Sequence, residues 1–128
     1  MKQLSVILIC FIVTSCSIPV TISLFNNSGI DQIVSIGDKS IKINRGDSEY
    51  IDDIEYSEFS ASSEGESRTY SAPSIPVSSI VWRGWGPFSK RMFYLQLQPD
   101  EKIWVSKSKS RVTDFGDQPE GFPLAPNT

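Results

Sequence analysis

Between Val20 and Ser106 no stretch of the chain carries a helical period, and turn-forming residues cut it into short apolar runs. Alternation at period two puts one face of an extended segment inward and reads as a strand. Val20-Thr21-Ile22-Ser23-Leu24-Phe25 is the first such run, and Asn26-Asn27-Ser28-Gly29 closes it with residues that tolerate positive φ. Ile33-Val34-Ser35-Ile36 and Ser40-Ile41-Lys42-Ile43-Asn44 flank Gly37-Asp38, which is a hairpin pattern. Arg45-Gly46-Asp47 fits a turn into Ser48-Glu49-Tyr50-Ile51; its other reading, an adhesion tripeptide, is a pattern that arises readily by chance. Residues 54–61, 68–71 and 79–82 are further strand candidates, with Pro73 and Pro76 marking a crossing or edge segment. Met92-Phe93-Tyr94-Leu95-Gln96-Leu97-Gln98 is the strongest strand, turned by Pro99-Asp100-Glu101 into a hairpin partner at 102–106.

Eight or so short strands with no helix imply one all-β domain, an antiparallel sandwich or barrel. The predicted domain spans 20–112. Residues 113–128 contain Pro119, Pro123 and Pro126 and form a Pro-rich tail that is neither regular strand nor helix. Phe115, Phe122 and Leu124 within it predict partial docking on the domain.

The least strand-like stretch runs from Trp82 to Arg91. Gly84 and Gly86 flank Trp85, so the backbone there is expected to loop. Trp82, Trp85 and Phe88 are interspersed with Arg83, Lys90 and Arg91. Aromatics beside cations stack on sugar rings, enter membrane interfaces or anchor a protein partner. The same tryptophans also suit a loop that folds back and caps the core. These six residues are the candidate partner-binding site.

The sequence contains no histidine. The commonest general base and the commonest transition-metal ligand are therefore absent. Its two cysteines, Cys10 and Cys16, both fall in the first sixteen residues, so the predicted domain can form no internal disulfide. No catalytic residue, metal site or cofactor is expected, and the chain does not read as an enzyme. Asp52, Asp53, Glu55 and Glu58 form an acidic cluster. Paired carboxylates serve glycoside hydrolysis or calcium binding, but this spacing matches no known loop and suits a solvated strand face.

At the N-terminus, Lys2 precedes residues 4–13, which are apolar except for Ser5, and small polar residues follow. That is the pattern of a secretory signal peptide, and it falls well short of the ~20 apolar residues a membrane span needs. Val13-Thr14-Ser15-Cys16 is similar to the lipobox of bacterial lipoproteins: an aliphatic residue, a tolerant position, a small residue and then cysteine. The resemblance covers only this signal. It implies a signal peptide at 1–15 and a lipidated tether at 16–19, with a diacylglyceryl thioether and usually a further acyl chain such as palmitate on Cys16. Ser17, where aspartate would favour inner-membrane retention, implies the outer membrane with the domain facing the periplasm. Beyond the signal, the chain resembles small bacterial lipoproteins whose folds are Ig-like or transthyretin-like sandwiches.

Without Lys2, eleven Lys and Arg face fifteen Asp and Glu, a charge of −4. This sign argues against nucleic acid as a partner. The expected partners are the membrane, through the Cys16 lipid, and a protein or cell-wall component. The leading functional expectation is a lipid-anchored binding or structural module of the cell envelope. Alternatives are an inhibitory or protective lipoprotein against a hydrolase or toxin, and a carboxylate-dependent envelope hydrolase using Asp53 and Glu58.

Overall fold

The computed structural model describes residues 20–52, 58–71 and 74–127. Cys16, the expected signal segment 1–15, the tether 16–19 and Asp53 lie outside the described residues, as does the 54–57 part of the expected 54–61 strand.

Among the described residues there are nine strands: β1 (Val20–Asn26), β2 (Gln32–Ile36), β3 (Lys39–Ile43), β4 (Ser48–Ile51), β5 (Glu58–Ser63), β6 (Glu66–Ser71), β7 (Val81–Arg83), β8 (Lys90–Leu97) and β9 (Ile103–Ser106). They form two sheets in a sandwich-like arrangement, β4-β1-β8-β7 with β9 also on β8, and β3-β2-β5-β6. The all-β architecture matches the expectation with one departure: β1 and β8 pair in parallel, from Val20↔Arg91 to Asn26↔Leu97. Every other strand pair is antiparallel. β7 pairs with the first residues of β8 and β9 with its last four, so the two short strands lie end to end along one side of β8.

Alternation fills the space between the sheets. Ile22 and Leu24 of β1 and Phe93, Leu95 and Leu97 of β8 meet Val34 and Ile36 of β2, Phe59 and Ala61 of β5 and Tyr70 of β6. Tyr70 and Phe93 are fully buried, and Tyr70 stacks on Phe59 with ring centroids 5.4 Å apart. Each large apolar side chain removed from water contributes about 1.5–3 kcal/mol.

The outer face of the first sheet is covered too. Ser23, Phe25, Met92, Tyr94 and Gln96 all point away from the core, yet all are buried. The segment after β9 provides the cover. Gln96 acts as an inserted peptide group, its Oε1 accepting from Val112 N at 2.9 Å and its Nε2 donating to Val112 O at 3.0 Å. Gln118 does the same at the free edge of β9, accepting from Val105 N at 2.8 Å and donating to Val105 O at 3.0 Å. Between these pins, Phe115 stacks on Trp104 at 5.2 Å.

The tail then enters the core. Leu124 pairs with Ile103, Phe122 packs edge-on against Phe93 at 5.9 Å, and both tail side chains are buried. Asn127 N donates to Thr69 O at 2.8 Å, so the same tail reaches β6 of the second sheet. A further link joins the sheets: the Tyr70 hydroxyl donates to the Glu101 carbonyl at 2.6 Å, while Arg68 bonds the Glu101 carboxylate at 2.7 Å and that of Glu66 at 2.8 Å. The hydrogen bond from Arg68 to Glu101 raises the pKa of the guanidinium further above its ordinary value. Burial pushes the Tyr70 phenol up to about 12.

At the end of the sandwich opposite the β7–β8 turn, Asn26 organises the loops. Its side-chain amide donates to Ile30 O at 2.8 Å and Ile43 O at 2.9 Å, and its Oδ1 accepts from the Ser28 hydroxyl at 2.6 Å.

Candidate functional site

The six residues singled out in the sequence lie on one hairpin, β7–β8. Trp82 and Arg83 belong to β7, Lys90 and Arg91 to β8, and Trp85 and Phe88 to the turn between them. Only the turn is a loop, which is shorter than the expected 82–91. Antiparallel pairing sets Trp82 opposite Arg91 and Arg83 opposite Lys90. Because side chains alternate across a strand, these pairs lie on opposite faces of the ribbon.

The turn has a defined shape. Gly84 adopts φ +86°, and a Cβ there would stand 2.8 Å from the Phe88 carbonyl oxygen. Residues Gly86–Phe88 form one 3₁₀ turn, with Pro87 supplying a compatible φ. Phe88 N donates to Trp85 O and Ser89 N to Gly86 O, each at 3.3 Å, and the Ser89 hydroxyl adds a 3.0 Å bond to Gly86 O. Local hydrogen bonds thus hold the tip while its large side chains find no cover. Trp85 is 82% exposed, Phe88 79% and Trp82 59%. The tryptophans do not fold back over the core, which Phe93, Tyr70 and the tail residues already fill.

On one face of the hairpin, the Arg91 guanidinium carbon lies 6.0 Å from the Trp82 ring centroid. On the other face, Arg83 is fixed against the sheet. Its Nε donates to the Tyr94 hydroxyl at 3.0 Å, its Nη2 to Lys107 O at 3.3 Å, and its Cζ lies 5.6 Å from the Tyr94 ring centroid.

That second face opens into a groove of about 630 Å³ along the outer side of the first sheet. Arg83, Phe88 and Lys90 line it from the hairpin. The other walls were not among the sequence candidates: Tyr50 of β4, Met92 and Tyr94 of β8, and residues Ser108, Lys109 and Ser110 of the covering segment. Asp52 closes one end, its Oδ1 accepting from the Thr21 hydroxyl at 2.7 Å. Three cations, Arg83, Lys90 and Lys109, thus surround a partly aromatic floor with one carboxylate at the margin. Such a surface suits a ligand with an anionic group and an apolar or ring-shaped body. Met92 and Tyr94 share a face by period-two alternation, which was the available signal for the floor.

Of the acidic candidates, Asp52 lines this groove and Glu55 lies outside the described residues. Asp53 is outside the described residues, and Glu58 opens β5 in the other sheet, opposite Ser71. Among the described residues, no group of three or more Asp and Glu is placed to hold a metal ion. Comparison with protein-family models, with curated proteins and with solved structures finds no match to this chain.

Proposed function

We propose that the protein is a lipid-anchored binding module of the bacterial cell envelope, tethered through Cys16, with the β7–β8 hairpin as its contact element. The observation that carries the contact assignment is the tip itself. Trp85 and Phe88 stand about four-fifths exposed on a turn that Gly84 and local hydrogen bonds hold in shape. Large rigid aromatics presented this way are anchor residues of interfaces, and an uncovered aromatic patch costs solubility unless something binds it. The Cys16 lipobox supports the anchor, and two or more acyl chains hold a protein at a bilayer where one is marginal. Outer-membrane placement follows from Ser17 after the cysteine, given a two-membrane cell.

The test is metabolic labelling with an alkyne fatty acid followed by membrane fractionation. The wild-type chain takes up label and sediments with membranes, while Cys16→Ala takes up none and is soluble after export. Label retained by Cys16→Ala rejects the anchor.

A further inference from the structure

Building on the anchored reading above, we propose that the contact element docks on a lipid bilayer: the β7–β8 tip inserts Trp85 and Phe88 into the interface of the membrane that holds Cys16. Strand register carries this inference. β1 and β8 run in parallel with Val20 beside Arg91, and Arg91 lies opposite Trp82 on β7. Val20, Arg91 and Trp82 therefore form one row across three strands. Val20, at the start of β1, and the turn preceding Lys90 therefore lie at the same end of the sheet. Cys16 is four residues before Val20, so a fully extended chain separates them by at most ~14 Å. A lipid on Cys16 would thus sit within reach of the edge from which Trp85 and Phe88 protrude.

The chemistry of the tip fits an interface. Tryptophan sits at headgroup depth because its ring is apolar and its N–H is wet. Lys90 adjoins the turn in β8 and is complementary to lipid phosphates, while Arg83 opposite it in β7 is held by Tyr94 and the Lys107 carbonyl. Lys109 of the covering segment lines the adjoining groove, and Lys39, whose Nζ donates to the Asp52 carbonyl, adds a cation at this end of the sandwich. Asp38, on the β2–β3 turn, and Asp52, after β4, lie at the same end of the sandwich. Insertion would give the tether a second attachment and fix the orientation of the domain, leaving the loops around Asn26 at the far end facing away from the membrane.

The test does not require the cell to lipidate Cys16. Among the described residues the hydrophobic core runs from Ile22 to Leu124, and residues 16–128, the mature chain that the lipobox implies, are used. Cys16 is the only thiol in that span and couples selectively to a maleimide phospholipid. The coupled protein is placed in phosphatidylethanolamine–phosphatidylglycerol vesicles containing brominated acyl chains. Trp82→Phe with Trp104→Phe leaves Trp85 as the sole tryptophan. Its emission should shift to the blue, be quenched by the bromines and be shielded from acrylamide. As a check on the reporter, the otherwise wild-type chain carrying Trp85→Ser should lose most of its bromine quenching. Uncoupled protein carrying Phe88→Ser should partition into the same vesicles roughly tenfold less. Trp85 that is unquenched and open to acrylamide on coupled protein overturns the proposal. So does protection that develops only when envelope protein is added, which would assign the tip to a protein partner. Failure of lipid labelling in cells would reject the natural anchor alone, because the maleimide lipid supplies its own.

Discussion

Leu124 and Ile103 exchange both backbone hydrogen bonds, at 2.8 and 2.9 Å, although a Pro-rich segment with no regular structure separates them. The pairing extends the free edge of β9 and draws Phe122 and Leu124 into the core. Three residues later, Asn127 bonds to β6 of the opposite sheet. The tail is therefore a clasp across the open side of the sandwich.

Leu124→Ala should consequently behave as a core truncation. The expected loss is about 2–5 kcal/mol, read as a lower denaturant midpoint with an unchanged slope. Asn127→Ala removes only bonds at the surface and should cost no more than ~1 kcal/mol. Equal, small effects from both variants would mean that the clasp contributes nothing to the fold.

Asn26→Ala should destabilise by at least ~2 kcal/mol. It removes the amide that donates to the Ile30 and Ile43 carbonyls at a site where Asn26 is 1% exposed, and leaves Ile30 O only the 3.1 Å contact of the Ser28 hydroxyl. Asn26→Asp should not rescue stability at neutral pH, because a carboxylate cannot donate to either carbonyl and its charge would be buried. Equilibrium unfolding of the pair decides this. Full stability in the aspartate variant would show that only the acceptor role, toward Ser28, matters.

Strand positions were largely legible, since period-two alternation marks an inward face wherever one side of a sheet is wet. Alternation carries no information on partner or direction, so the parallel β1–β8 pair was not. That pair joins segments some seventy residues apart and sets which end of the sandwich the hairpin occupies. The covered outer face had left a trace. Phe25 breaks the alternation of β1, and residues 92–97 are nearly continuous in apolar character, as in strands buried on both faces. What buries them is the 107–118 segment, whose basic, serine-rich start reads as solvated loop. The six hairpin residues were identifiable because glycines around a tryptophan are poor strand formers. The groove beside them was not, because Tyr50, Asp52 and Lys109 come from three separate segments that only the fold brings together.

Tyr70 gives an alkaline signature. An ordinary tyrosine deprotonates near pH 10, and burial holds this one protonated to about 12. Between those values the unfolded chain releases a proton that the folded chain keeps, so stability falls as pH rises. The stabilisation is complete below pH 10 and is lost progressively toward pH 12, by roughly 2–3 kcal/mol in all. Tyr70→Phe should start less stable, because the Glu101 carbonyl loses its donor, and then decline less steeply over that window. Parallel decline in the two proteins would remove Tyr70 as the source.

Gly84 and Trp85 separate the shape of the tip from its stickiness. A methyl group at position 84 would meet the Phe88 carbonyl oxygen at 2.8 Å, on a backbone at φ +86° that disfavours any side chain. Gly84→Ala should therefore distort the turn and cost about 1–3 kcal/mol. Trp85 rests on little, being 82% exposed, so Trp85→Ala should leave the melting temperature within about two degrees, as surface substitutions do. Both variants should weaken attachment at the hairpin, one by moving the aromatics and the other by deleting one of them. Calorimetry beside a vesicle-flotation assay makes the comparison. A large fall in melting temperature for Trp85→Ala would place that indole in the packing of the domain, and the hairpin would lose its claim to be a contact surface.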